Sequence, residues 1–179
     1  EFTALPDKSV GKKYYPTFAY TVLATVTDIN GETHESSTTV SVGYNAMTLF
    51  SDVKDKIEKE VATFVTVHSL NLNGQPVPAK GKLTIWKLKE PAKVFRNRLA
   101  QRSDKHLLTQ KEYYDSFPTD LYAEELNKFK WEKSKQVFET LFDTDTTVKK
   151  NKILLKEIHQ WQEGEYVAEF TATDSFNEE

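Results

Sequence analysis

YTVLATVTD, from Tyr20 to Asp28, and YVAEFTATD, from Tyr166 to Asp174, are two versions of one phrase, and the fold class follows from how they are read. Each begins at a Tyr, alternates apolar with polar or Thr positions, and stops at an Asp. Successive side chains of an extended strand point to opposite faces. Alternation at period two therefore groups Tyr20, Val22, Ala24 and Val26 on one face, and Tyr166, Ala168, Phe170 and Ala172 in the same way. Both copies read as the same strand of an antiparallel β-sandwich of immunoglobulin-like type. The first runs on through Asn30-Gly31 into ETHESSTTVSV, whereas the second has only five residues after its Asp, which predicts a unit one strand short of a repeat.

Working outward, two alternating runs from Phe18 to Val42 flank Asn30-Gly31, a dipeptide suited to the positive φ of a tight turn, and predict a hairpin. After Gly43-Tyr44 come AMTLFSDV, a charged interruption KDKIEKE, and VATFVTVHSLNLNGQPVPAKGKLTIWKL, read as further strands with a turn at Asn73-Gly74. The pattern then fails over about 89–135, too long for an ordinary loop and read as an elaborated, partly helical insertion. Within it, Leu121, Tyr122, Glu125 and Leu126 suit a short helix capped by Asp120. Strands resume with KQVFETLFDT, although VFETLF alone also suits a helix, and then with KILLKEIHQW and the repeat strand. The expected organisation is 1–44, a lead-in and the terminal hairpin of a preceding sandwich module, followed by 45–179, a second module carrying the insertion. A missing strand leaves an open edge. Cover is expected from the Phe18–Val42 hairpin, in cis or in a strand-swapped dimer.

Composition narrows the function. The chain has 179 residues, 38% hydrophobic and 28% charged, as expected of an ordinary folded domain rather than a disordered one. A net charge of −3 lowers the prior for nucleic acid or an anionic membrane as partner. No stretch is long and apolar enough for a membrane span. With no Cys there are no disulfides, thiolate metal sites or Cys nucleophiles within these residues.

Catalytic and metal motifs are not visible. His34, His68, His106 and His159 lie far apart, without the i, i+2 or i, i+4 spacing of local ligand pairs. Asp115 with Asp120 and Glu124 with Glu125 are the acid pairs, but neighbours on a helix point about 100° apart. A solvated face is the simpler account of Glu124 and Glu125. There is no GxSxG, no Gly-rich phosphate loop and no calcium loop, so neither an enzyme nor a cofactor is expected. Two features remain. Tyr113, Tyr114, Phe117 and Trp131, near Tyr122 and Phe129, are candidates for an interaction surface, a carbohydrate or peptide groove. The weightier alternative is that they anchor the insertion to the sheet. Arg96, Arg98, Arg102 and Lys105, in a basic run interrupted by Asp104, are candidates for a protease-accessible segment.

Three phrases, VTDINGETHESSTTVSVGY (Val26 to Tyr44), LNGQPVPAKGKLTIWKL (Leu72 to Leu88) and WQEGEYVAEFTATD (Trp161 to Asp174), resemble the macroglobulin-type β-sandwich modules of bacterial alpha-2-macroglobulin-like proteins, in the large forms of Bacteroides-like bacteria. Gly74, Pro76 and Val77 match that family's Gly-x-Pro-Val turn, Gly164 and Tyr166 its Gly-x-Tyr strand start, and Asp28 and Gly31 its Asp-x-x-Gly. The second copy departs from the last motif, with Asn177 where Gly is expected after Asp174. The resemblance covers most of Phe18 to Leu88 and Lys152 to Asp174.

It implies macroglobulin-type sandwich modules of a large periplasmic or cell-envelope protein that traps proteases through a cleavable bait and, in many members, a Cys-Gln thioester. With no Cys, these residues cannot hold that thioester. The implied role is non-catalytic, with neighbouring modules of the same parent chain as partners and proteases reached through the parent. The alternative is a carbohydrate- or peptide-binding sandwich module of an envelope protein.

Overall fold

A computed structural model describes residues 3–11, 13, 15–97, 105–144 and 151–173. The chain is mainly β, built of antiparallel sheets with little helix. The strands are β1 Thr17–Thr27, β2 Thr33–Gly43, β3 Met47–Ser51, β4 Phe64–Asn71, β5 Ala79–Leu88, β6 Lys133–Thr144, β7 Lys152–Leu154 and β8 Tyr166–Thr173. Among the described residues a helix, α1, spans Gln110–Ser116, and 3-10 turns lie at Lys128–Lys130 and Ile158–Gln160. The hydrogen-bonded order is β1-β2, β3-β4-β7 and β6-β5-β8.

The first expected hairpin forms, with Phe18 opposite Val42 and Val26 opposite His34. Its turn is stitched by Asp28. The Asp28 N–H donates to the Glu32 carbonyl and the Gly31 N–H to the Asp28 carbonyl. One carboxylate oxygen of Asp28 also accepts the N–H groups of Asn30 and Glu32, both at 2.9 Å. Gly31 sits at φ 82°, the left-handed position that closes a three-residue hairpin loop.

The second turn repeats this pattern bond for bond. The Asn71 side chain accepts the N–H groups of Asn73 and Gln75, the Asn71 N–H donates to the Gln75 carbonyl, and Gly74 sits at φ 78°. Asp-Ile-Asn-Gly-Glu and Asn-Leu-Asn-Gly-Gln are thus one turn written twice.

Contacts divide the chain into two compact units, Glu1–Leu83 with Thr140–His159 and Phe170–Glu179, and Thr84–Glu139 with Gln160–Glu169. The division falls within β5, β6 and β8. In the first unit the core is Val65 and Val67 of β4, Ala79 and Leu83 of β5, Phe142 of β6, and Leu155 and Ile158, all buried. Both sheets meet at a polar knot: Ser69 Oγ of β4 lies 2.6 Å from Thr144 Oγ1 of β6, which accepts the Ala79 N–H at 2.8 Å. In the second unit Ile85 and Leu88 are buried, and Phe138, Trp161 and Tyr166 form a chain of ring contacts.

Three expectations change. The hairpin forms a sheet of its own and adds no strand to β6-β5-β8, so it does not cover that sheet in cis. Its strand β1 is largely exposed while the repeat strand β8 is half-buried: β8 lies beside β5 in a three-stranded sheet, whereas among the described residues β1 pairs only with β2. The helix lies at Gln110–Ser116, not after Asp120. Thr109 and Glu112 make a reciprocal capping box there, whereas Asp120 is held by Arg96 and the Glu125 carboxylate binds back to the Ala123 N–H, a local bond that competes with helix. VFETLF is strand, as part of β6.

Candidate interaction surface

The second unit gathers the aromatic residues of the insertion. α1 places Tyr113 and Tyr114 side by side, and both rings meet Tyr122, with centroids 5.4 and 6.3 Å away. Phe117 closes on Tyr113 at 5.3 Å, Phe95 on Tyr114 at 5.9 Å, and His106 stacks on Tyr122 at 4.1 Å. The rings pack on one another within the insertion, Phe95, Tyr113, Tyr114 and Tyr122 half-buried and Phe117 and His106 exposed. Planes within the Tyr113–Tyr114–Phe117–Tyr122 group are tilted by 43° to 70°, so they form an interlocked cluster rather than a flat platform.

Glu125 ties the cluster together. Its carboxylate accepts the Tyr114 hydroxyl at 2.5 Å and the Ala123 N–H, and its carbonyl accepts the Trp131 indole N–H at 2.7 Å. Burial, with the Glu125 carboxylate beside it, pushes the Tyr114 hydroxyl up to about 12, so it stays a proton donor at neutral pH. Tyr122 donates to the Leu108 carbonyl at 3.0 Å. Lys93 holds its ammonium 4.8 Å from the Tyr114 ring centre, a cation–π contact.

Beside this cluster is a shallow depression of about 400 Å³, lined in part by Pro91, Phe95, Tyr114, Lys93, Glu125 and Glu132. Its lining mixes apolar side chains with charges of both signs, and the Lys89 ammonium lies 3.5 Å from the Glu132 carboxylate.

Of the candidate surface residues, Tyr113, Tyr114 and Phe117 come together, and Trp131 joins them through the Glu125 backbone carbonyl. Phe129 is fully exposed. Arg96 is anchored: its N–H donates to the Thr119 carbonyl at 2.9 Å and its guanidinium lies 2.5 Å from Asp120, which raises its already high pKa. Lys105 is exposed. Arg98 and Arg102 lie outside the described residues.

Glu124 pairs with Lys130 while Glu125 faces Tyr114, so these two acids serve different partners. Among the described residues no group of three or more His, Asp or Glu could hold a metal ion, and no helix is long and apolar enough to cross a membrane. Sequence reasoning missed the Glu125 hub, Phe95 and His106. The Thr109-x-x-Glu112 capping signal could have located α1 and, with it, the i, i+4 contact of Tyr113 with Phe117.

Compared with models of known families, with curated proteins and with solved structures, the chain matches none.

Proposed function

We propose that this chain is a non-catalytic structural module of an alpha-2-macroglobulin-like, protease-trapping protein of the periplasm or cell envelope, its partners the neighbouring modules of the same parent. The observation that carries this reading is the twin turn, at Asp28–Glu32 and Asn71–Gln75, in the segments that bear the family resemblance. Two supports stand beside it. Five described residues of the insertion, Tyr114, Glu125, Trp131, Tyr122 and Arg96, make hydrogen bonds within it, as suits a part that holds shape. The β1–β2 arm exposes Leu23, Val26 and Ile29, surface that an adjoining module would cover. On this reading 1–44 belongs with a preceding module and 45–179 is the second.

Limited trypsin digestion with mass mapping tests the choice between scaffold and bait. A scaffold resists cutting after Lys89, Lys93, Arg96 and Lys111. Preferential cutting between Lys89 and Lys111 would overturn it in favour of an exposed bait. The depression beside Tyr114 favours a second reading, a carbohydrate- or peptide-binding module. That reading requires saturable shifts of the Phe95 and Tyr114 signals on titration with an oligosaccharide or peptide.

A further inference from the structure

We propose that the outer edge of β1 is a self-association site, at which a second copy of this chain lays its own β1 alongside, antiparallel and in full overlap. This inference uses the edge of the arm, not its faces, and does not depend on the macroglobulin reading.

The direction in which each backbone group points follows from the register. Asp28 and Glu32 are bonded through the Asp28 N–H, and hydrogen-bonded pairs recur every second residue in an antiparallel ladder. Even-numbered β1 residues therefore turn their N–H and C=O toward β2, and Thr17, Ala19, Thr21, Leu23, Thr25 and Thr27 turn theirs outward. The other strand obeys the same rule. Ser41, opposite Ala19, sends its N–H and C=O away from β1, and the Asn73 side chain binds both, at 2.8 and 3.1 Å.

The two edges are not equivalent. β2 has Asn73 seated on it and carries His34 and Glu35, so a full-length strand cannot pair there. β1 is TFAYTVLATVT, 11 residues with no charge, no Pro and no Gly, rich in β-branched and aromatic residues. Among the described residues no hydrogen bond occupies its outward groups. Proteins that keep an edge single blunt it with Lys, Pro or a bulge, and β1 has neither residue.

A second β1 fits this edge. Outward groups belong to odd residues, so a two-fold pairing must set odd residues against odd ones, and full overlap then centres it on Val22. Leu23 faces Thr21 of the copy and Ala19 faces Thr25. Every pair is uncharged, so the pairing creates no like-charge contact. The face bearing Phe18, Tyr20, Val22, Ala24 and Val26 continues from one copy to the other, because pairing like with like keeps the alternation in phase.

The test uses the full chain. Sedimentation across micromolar to millimolar concentration should show a monomer–dimer equilibrium. Leu23→Pro removes an outward N–H and should abolish the dimer, while Ser37→Pro, at the opposite position on the β2 edge, should keep it. A wild-type chain that stays monomeric throughout overturns the proposal, as does loss of the dimer in both variants or in neither. Where Leu23→Pro unravels the arm, judged by lost amide protection at Val22 and Thr38, a second measurement decides. The chain has no Cys, so Val22→Cys should give a covalent dimer on oxidation and Thr38→Cys should not. Cross-linking of Thr38→Cys alone, or of neither, overturns the assignment.

Discussion

Gly81 in β5 shows how much one missing atom can permit. A Cβ there would lie 2.2 Å from the Thr171 carbonyl oxygen and 2.5 Å from the Phe142 ring, so β8 and Phe142 close over a residue with no side chain. Backbone cannot retreat as a flexible side chain can. Gly81→Ala should destabilise the fold by about 1–3 kcal/mol in urea unfolding, the usual range for overpacking. Asp28 makes a different residue-scale prediction. The Glu32 N–H, helped by that of Asn30, holds its carboxyl below the ordinary 3.8 against the opposing effect of desolvation. A folded pKa below the unfolded one contributes stability above the ordinary value and loses it as pH falls through the folded pKa. Acid should therefore loosen this turn, seen as chemical-shift changes at the Asn30 and Glu32 amides below about pH 4. Asp28→Asn should remove that titration and keep the turn, since Asn71 makes the same bonds with a neutral amide.

At the scale of elements, the Asn73 side chain links the β1–β2 arm to the β4–β5 connection. Asn73 is set by its own turn and clasps both backbone groups of Ser41. A two-stranded ribbon is marginal by itself, so such a clasp matters more here than in a broad sheet. Asn73→Ala should raise the hydrogen-exchange rate of the Ser41 amide, while Val65 and Val67 in the buried core stay protected. An unchanged Ser41 rate would show that other contacts hold the base of the arm. The hairpin itself was legible in the sequence, because Asn-Gly and alternation are local signals. The clasp was not, because Asn73 and Ser41 are far apart along the chain. The helix was misplaced for a related reason: Asp120 suits a cap in isolation, but Arg96 takes its carboxylate, and that partner comes from a distant segment.

For the molecule as a whole, the polar knot between the sheets of the first unit is the most exacting point. Thr144 Oγ1 accepts the Ala79 N–H and lies against Ser69 Oγ, with Ser69 and Thr144 both buried. Thr144→Val keeps the shape and strands the Ala79 N–H, a loss of about 1–3 kcal/mol expected in the same unfolding measurement. Thr144→Ser should recover most of it, because the hydroxyl returns. The amino-acid sequence by itself determined that the chain is mainly β, where most strands run and where the hairpins turn, since strand alternation and turn chemistry act between near neighbours. It also assembled the aromatic residues of the insertion as one group. Only the tertiary structure decided that the two copies of the Tyr-to-Asp strand have different surroundings, one beside β5 and one in an open arm. Likewise it set Glu125 as the hub of the rings and left the β1 edge without a partner strand among the described residues. Those outcomes depend on which distant segments meet, and the free energy of such meetings comes from burial and pairing that no local pattern encodes.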